Sequence, residues 1–134
     1  MAPEGLITVA SNLGPKDTMD RLAAAVAAHG LTILARIDHA AAAAEARLDL
    51  RPTEVLIFGN PRAGTPLMQA AQTLGIDLPL KALVWQDEGG RTWLSYNDPQ
   101  WIARRHGATV SMDKALAAMA TGLAAVAGEA TGGR

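Results

Sequence analysis

Asp38 and His39 are neighbouring residues whose types suit acid–base chemistry. A carboxylate that holds an imidazole in place can orient it for metal binding or for proton transfer. Neighbours in sequence rarely do this for each other, so the carboxylate that orients His39 is expected to come from elsewhere, with Glu54 as a candidate. His39 is therefore the candidate general acid or base. The alternative is that His39 only packs or forms hydrogen bonds at the start of a helix.

The other two histidines, His29 and His106, do not extend this pair into a metal site. Both stand near predicted helix C-termini, where positive charge is favourable in any case. No two histidines have a spacing such as His-x-x-x-His, and the chain has no cysteine, which excludes thiolate ligands, disulfides and cysteine nucleophiles. No metal site is predicted, and no cofactor is identified. A Gly-x-Ser-x-Gly nucleophile elbow is also absent.

A glycine-rich segment runs from Gly59 to Thr65, after an apolar strand and before a predicted helix. Its two glycines and its threonine outline a phosphate loop, but the lysine that reaches the terminal phosphates is missing, so a nucleoside triphosphatase is disfavoured. Free backbone N–H groups near Thr65 would still hold a carboxylate or a phosphate. The alternative is that Gly59 and Gly64 serve the turn and Thr65 only caps the helix.

A third polar segment, residues 95–99, ends a predicted strand, and Tyr96 and Asn97 are expected to line the same cleft as His39 and Asn60. The alternative is that Asp98 caps a helix and Asn97 satisfies a turn. Strand ends and helix starts are common positions for ligand groups. The predicted ligand-binding residues are Asp38, His39, Asn60, Gly64, Thr65 and Asn97.

The elements that position these residues follow from hydrophobic periodicity and from cap and turn residues. A strand is predicted over 6–10, a helix from Asp17 as N-cap to Gly30, a strand over 31–37, and a helix over 39–47 capped by Asp38. A buried strand over 55–58 precedes a helix from Thr65 to Gly75, a hairpin of strands 81–86 and 91–96, a helix from Asp98 to about His106, and a last helix capped by Ser111. This order predicts a single α+β domain of two layers with about five strands.

Composition limits the class of protein. The 134 residues predict a single domain over residues 1–127, followed by a flexible tail over residues 128–134. Hydrophobic residues make up 49%, which is enough for a hydrophobic core. The formal net charge is −1, and a chain without an excess of basic residues is not expected to bind nucleic acid. No signal peptide is evident, and no apolar run reaches the ~20 residues of a membrane helix. The expectation is a cytoplasmic protein without a membrane partner.

Several long motifs resemble a known family. They include Arg36-Ile37-Asp38-His39, the run from Leu50 to Pro61, Gly64-Thr65-Pro66-Leu67-Met68, the run from Gly75 to Lys81, and the run from Trp93 to Pro99. Together they are similar to the bacterial domain-of-unknown-function family 302 (DUF302), with a firm match over about residues 6–107. The polar residues that match are Asp38, His39, Thr53, Asn60, Gly64, Thr65 and Asn97.

This resemblance implies a compact α+β domain, often dimeric, whose helices pack on a mixed, largely antiparallel sheet. Some members are exported or fused to membrane segments, which this chain is expected to lack. The family brings no established reaction with it. The last helix lies outside the firm match and is expected to be an accessory element at a dimer contact.

Three hypotheses of function follow. The leading one is a homodimeric domain that binds a small molecule or an ion in a cleft formed by the predicted residues. The second is an enzyme that uses His39 as general acid or base on an anionic substrate held near Thr65. The third is a structural or interaction module that acts as a homodimer and has no ligand.

Overall fold

Five β-strands form one sheet in the computed structural model, which describes residues 2–107 and 110–132. The strands are β1 (Leu6–Ala10), β2 (Thr32–Asp38), β3 (Thr53–Gly59), β4 (Leu80–Gln86) and β5 (Thr92–Asn97). Their order across the sheet is β1-β5-β4-β3-β2, and each neighbouring pair is antiparallel. The α+β class and the five strands are confirmed, and the described part of the sheet has no parallel pair.

Five α-helices occur in the described part of the chain, in the predicted order: three lie between the first four strands, and two follow β5. They are α1 (Pro15–Ala28), α2 (His39–Glu45), α3 (Pro61–Ala70), α4 (Pro99–Arg105) and α5 (Asp113–Ala130). Two short 3-10 helices, Gln72–Ile76 and Val110–Met112, precede β4 and α5.

The β4–β5 hairpin forms as the sequence predicts. Gly90 has a φ of +86°, which a residue with a side chain adopts only under strain. The Asp87 carboxylate accepts a hydrogen bond from the Arg91 N–H at 2.9 Å and so closes the turn. The hairpin fixes the register that places Trp85 opposite Trp93.

One face of the sheet is buried beneath α1 and α5. Side chains alternate between the faces of a strand, so every second residue of β3, β4 and β5 points at these helices. The buried residues from these strands are Leu56, Phe58, Ala82, Val84, Leu94 and Tyr96. They pack with Met19, Leu22 and Val26 of α1, which have 0% exposure.

A second, smaller cluster joins α3 and α4 to the beginning of α5. It contains Leu67 of α3, Leu74 of the first 3-10 helix, Ile102 of α4 and Leu116 of α5. The later residues of α5, such as Leu123 and Val126, belong to the sheet core instead. Helix α5 therefore spans both clusters and connects them.

The predicted starts of α1 and α5 differ from the structure, by three residues and by one residue. Helix α1 begins at Pro15 with Gly14 as N-cap, so Asp17 lies inside the first turn. Proline suits the first helical position because its φ is already helical and its missing N–H would have no partner there. Helix α5 begins at Asp113, and Ser111 lies within the preceding 3-10 helix.

The packed part of the domain continues into the C-terminal segment. Helix α5 continues to Ala130, which is 0% exposed, and Thr131 is 2% exposed. The Thr131 carbonyl accepts a hydrogen bond from Asn12 N–H at 2.9 Å. A flexible tail is predicted from residue 128, whereas Ala130 and Thr131 are buried against the domain. Residues 133 and 134 lie outside the described part of the chain.

We expect Ala130→Asp to lower the free energy of unfolding by about 3 kcal/mol, because it places an unpaired carboxylate in the core. Ala124→Asp is the matched control, since Ala124 is exposed on the same helix. Urea unfolding followed by circular dichroism measures both variants. Equal stability of the two variants would show that the end of α5 does not pack as described.

Candidate functional site

A cavity of about 560 Å³ lies where α3, α5 and the adjoining ends of β2, β3 and β4 meet. Most of its lining is apolar and includes Leu31, Phe58, Met68, Leu78, Leu80, Met119, Leu123 and Val126. These residues come from, or pack against, both hydrophobic clusters, so the cavity lies between the two.

Small residues keep this space open. On α5, the lining residues Ala115, Ala118 and Gly122 stand three and four positions apart, which places them on one face of the helix. On α3, the lining residues Ala63 and Gly64 are equally small. The sequence predicts a helix over the α5 residues and a loop over Ala63 and Gly64, and it does not show that the two segments would border the same cavity.

Polar side chains are few in the lining, and they are His29, Thr32, Asn60 and Thr65. The His29 Nε2 atom lies 2.7 Å from a Glu129 carboxylate oxygen, which joins the end of α1 to α5. Among the described lining residues, none is Lys, Arg, Asp or Glu. Apart from His29, which pairs with Glu129, the described lining therefore offers hydrogen-bonding groups that carry no charge.

The start of α3 differs from its prediction. The helix begins at Pro61 with Asn60 as N-cap, so Thr65 is an internal helical residue and does not cap. The Asn60 side chain accepts a hydrogen bond from Arg62 N–H at 3.0 Å. The Asn60 carbonyl accepts from Ala63 N–H and Gly64 N–H, both at 2.9 Å. Since Pro61 has no N–H, the donors expected to hold an anion near Thr65 are already used.

Asp38 and His39 lie at the far end of β2 from this cavity. Asp38 pairs with Glu54, at the beginning of β3, whereas Thr32 pairs with Gly59, at its end. Six residues of strand separate the two ends, which corresponds to roughly 20 Å. The predicted residues therefore do not form one cleft: Asn60, Gly64 and Thr65 line the cavity, and Asp38 and His39 do not.

Asp38 caps α2, as the sequence predicts, through a hydrogen bond of 2.9 Å that Ala41 N–H donates. His39 is exposed, and within residues 2–107 and 110–132 its side chain has no hydrogen-bond or ion-pair partner. The expected carboxylate, Glu54, accepts hydrogen bonds from Arg36 at 2.8 and 3.3 Å instead. The hydrogen bond to Glu54, helped by one to Asp20, raises the pKa of Arg36 above its ordinary value.

Asn97 lies on the opposite face of the sheet from the helices. It lines a smaller cavity of about 300 Å³ together with Leu6, Lys81 and Trp85. Its neighbour Tyr96 is 6% exposed and belongs to the sheet core. The alternative role of Asp98 is confirmed, because its carboxylate accepts a hydrogen bond from Gln100 N–H at 3.0 Å and caps α4.

The family model described as domain of unknown function DUF302 matches residues 7–126. This match covers most of the chain, so the protein belongs to the DUF302 family. It also includes most of α5, so the expectation that the last helix lies outside the family match is wrong.

A solved relative has the same fold. The crystal structure of an uncharacterized conserved DUF302 protein from Bacillus stearothermophilus matches with a TM-score of 0.84 and 22% identity, over 96% of this chain and 99% of that chain. At this level of identity, the likeness shows the fold alone.

Two curated relatives carry the name fluoride-specific ion channel FluC 1. They come from Brucella suis biovar 1 (strain 1330) and Brucella abortus biovar 1 (strain 9-941), and each is 48% identical to this chain over 128 residues. The matched segment is 96% of this chain but 50% and 47% of those proteins, so the chain spans about half their length. Within its own described residues, no helix has the length and apolar character needed to cross a bilayer.

We expect Asn60→Ala to destabilise the protein by about 1 kcal/mol, because it removes the side-chain cap of α3. Asn60→Asp keeps an acceptor at the same position and should stay close to the parent. The free energy of unfolding from urea titration distinguishes the two variants. A parent-like value for Asn60→Ala would mean that the cap contributes nothing.

Proposed function

We propose that this protein binds a small, largely apolar molecule in the cavity between α3 and α5. The observation that carries the proposal is the cavity itself, whose volume of about 560 Å³ lies in the ordinary range for small-molecule sites. Its mixture of apolar walls and a few polar side chains is also typical of such sites.

The lining favours a neutral ligand over an ion. A charged group that enters an apolar cavity loses its hydration, and this cost is large unless a partner charge compensates. The described lining has no Lys, Arg, Asp or Glu side chain to provide that compensation, and its His29 already pairs with Glu129. The start of α3 offers no spare N–H groups for an anion, because Asn60 accepts from them.

The polar side chains at the cavity can fix the orientation of the ligand. Thr32, Asn60 and Thr65 can exchange hydrogen bonds with a hydroxyl, carbonyl or amide group of the ligand. Apolar contacts with Phe58 and Met119 supply the remaining binding energy. An amphipathic ligand with a neutral polar group therefore fits the site best.

The alternative enzyme based on His39 has less support. General acid–base catalysis favours a histidine that is oriented by a partner and shielded from water. His39 is exposed, and Glu54 is engaged by Arg36. The channel name of the Brucella relatives describes chains about twice as long as this one, so it does not assign channel activity to the segment they share.

We expect Gly122→Leu to weaken binding of the neutral fluorescent probe N-phenyl-1-naphthylamine by roughly tenfold, which corresponds to about 1.4 kcal/mol. Gly122 lines the cavity, and a Cβ atom there would have no atom within 4 Å, so the leucine occupies ligand space without a clash at that atom. Fluorescence titration measures the dissociation constant.

Gly128→Leu is the matched control for this experiment. Gly128 lies on the same helix, and a Cβ atom there would also have no atom within 4 Å, but it does not line the cavity. Both substitutions remove a helical glycine, so their effect on helix propensity is equal. Equal binding of the probe by the two variants would place its site elsewhere and contradict the proposal.

We also propose that two copies of the chain pair through the sheet face that lies opposite α1 and α5. Residues that alternate with the core residues point to this face, and many are apolar: Leu6, Ile37, Val55, Ile57, Leu83 and Trp85. Ile37 keeps 41% exposure in the single chain. Covering such a face removes apolar area from water, and a second copy presents the same surface.

We expect Leu83→Arg to convert a dimer into a monomer, because it places an unpaired charge at the centre of that face. Ile76→Arg is the control, since Ile76 is 73% exposed on the first 3-10 helix, away from the sheet. Sedimentation velocity at several protein concentrations gives the oligomeric state. A parent protein that stays monomeric at high concentration would refute the dimer without affecting the cavity proposal.

A further inference from the structure

Thr73, His106 and Asp77 form a chain of hydrogen bonds outside the lining of the cavity. The Thr73 hydroxyl oxygen lies 2.8 Å from His106 Nδ1. On the other side of the ring, His106 Nε2 lies 2.6 Å from Asp77 Oδ2. Thr73 belongs to the first 3-10 helix, Asp77 follows it directly, and His106 stands at the end of α4. The fold thus joins two segments that are 29 residues apart.

The hydrogen bonds determine which ring nitrogen carries the proton in neutral His106. An ionised carboxylate only accepts hydrogen bonds, so Nε2 must donate to Asp77. The remaining nitrogen, Nδ1, then has a lone pair and accepts the hydrogen bond of the Thr73 hydroxyl. This is the relation between nucleophile, base and orienting carboxylate that activates a hydroxyl group.

The surroundings keep Asp77 ionised. Arg105 Nη1 donates hydrogen bonds to both carboxylate oxygens, at 3.0 and 2.8 Å. Burial acts to raise the pKa of Asp77, but the hydrogen bond from His106 and the charge of Arg105 outweigh it, so the pKa lies below its ordinary value. Asp77 therefore stays an acceptor near neutral pH.

The side chains of His106 and Thr73 differ in their exposure to solvent, as expected for a general base and its nucleophile. The His106 side chain is 8% exposed, whereas Thr73 is exposed at the surface. The base is shielded from bulk water, and the hydroxyl group remains accessible to a reagent. A purely structural link between α4 and the segment before β4 is already provided by the ion pair of Arg105 with Asp77.

We propose that Thr73 is a nucleophilic hydroxyl that accepts acyl groups from activated esters or thioesters, with His106 as its general base and Asp77 as a positioning residue. This site is independent of the apolar cavity and of any ligand bound there.

The acyl transfer balances without an oxidant or a reductant. The Thr73 oxygen forms a bond to the acyl carbon while its proton passes to His106 Nδ1. The tetrahedral intermediate then collapses, the bond to the leaving alcohol or thiol breaks, and the proton on Nδ1 passes to that leaving group. The products are an ester on Thr73 and the free alcohol or thiol, and water can later hydrolyse the ester to a carboxylic acid and regenerate the hydroxyl group.

The test uses p-nitrophenyl acetate as the acyl donor and peptide mass spectrometry to locate acetyl groups. We expect Thr73 to be acetylated roughly a hundredfold faster than Thr121, an exposed threonine on α5, in line with the usual effect of a general base. Thr73→Ser should keep the labelling at residue 73, and Thr73→Val should abolish it. His106→Gln should reduce labelling of Thr73 to the rate of Thr121.

Two further variants separate activation from structural support. Asp77→Asn should slow acetylation of Thr73, because an amide no longer fixes the tautomer of His106. Arg105→Gln removes the charge beside Asp77 but leaves the chain of hydrogen bonds, so it should slow acetylation of Thr73 less than Asp77→Asn does. The parent in concentrated urea controls for variants that fail to fold, since unfolding should make Thr73 and Thr121 react alike. Equal rates at these threonines in the folded parent, or parent-like labelling in His106→Gln, would overturn the proposal.

Discussion

Burial of one face of the antiparallel sheet beneath α1 and α5 is the constraint on which the other features depend. Leu56, Phe58 and Leu94 have 0% exposure there, and burial of each such side chain contributes about 2 kcal/mol. Because the end of α5 is held over this core, its beginning is directed toward α3 and α4. The apolar cavity lies between these two contacts, at the position where α5 carries Ala118 and Gly122.

The antiparallel arrangement also explains why the polar residues of the sequence do not meet. In a parallel sheet, the carboxyl ends of all strands lie on the same side of the sheet. Polar residues that follow those strands would therefore lie close together. Here β2 and β3 are antiparallel, so Asp38, the last residue of β2, and Asn60, which follows β3, lie at opposite ends of the strands. Asn97 ends β5 but lies on the sheet face that the helices leave open.

Three of these polar residues cap helices, as their hydrogen bonds show. Each of them accepts a hydrogen bond from a backbone N–H in the first turn of a helix: Asp38 in α2, Asn60 in α3 and Asp98 in α4. The sequence predicts Asp38 and Asp98 at helix starts and Asn60 in a loop, and a cap and a ligand group have the same residue types at such positions. Only the hydrogen-bond partners distinguish the two roles, and these depend on the helix boundary to within one or two residues.

The sequence by itself determined the order of strands and helices, the β4–β5 hairpin and the family, because periodicity, caps and glycine turns are local properties of the chain. Tertiary structure alone decided where α3 begins, that α5 stays packed to Ala130, and which side chains meet. The cavity beside Gly122 and the contact between Thr73 and His106 arise from elements distant in sequence. No local pattern encodes such contacts, because they follow from the way α5 and α4 pack on the rest of the domain.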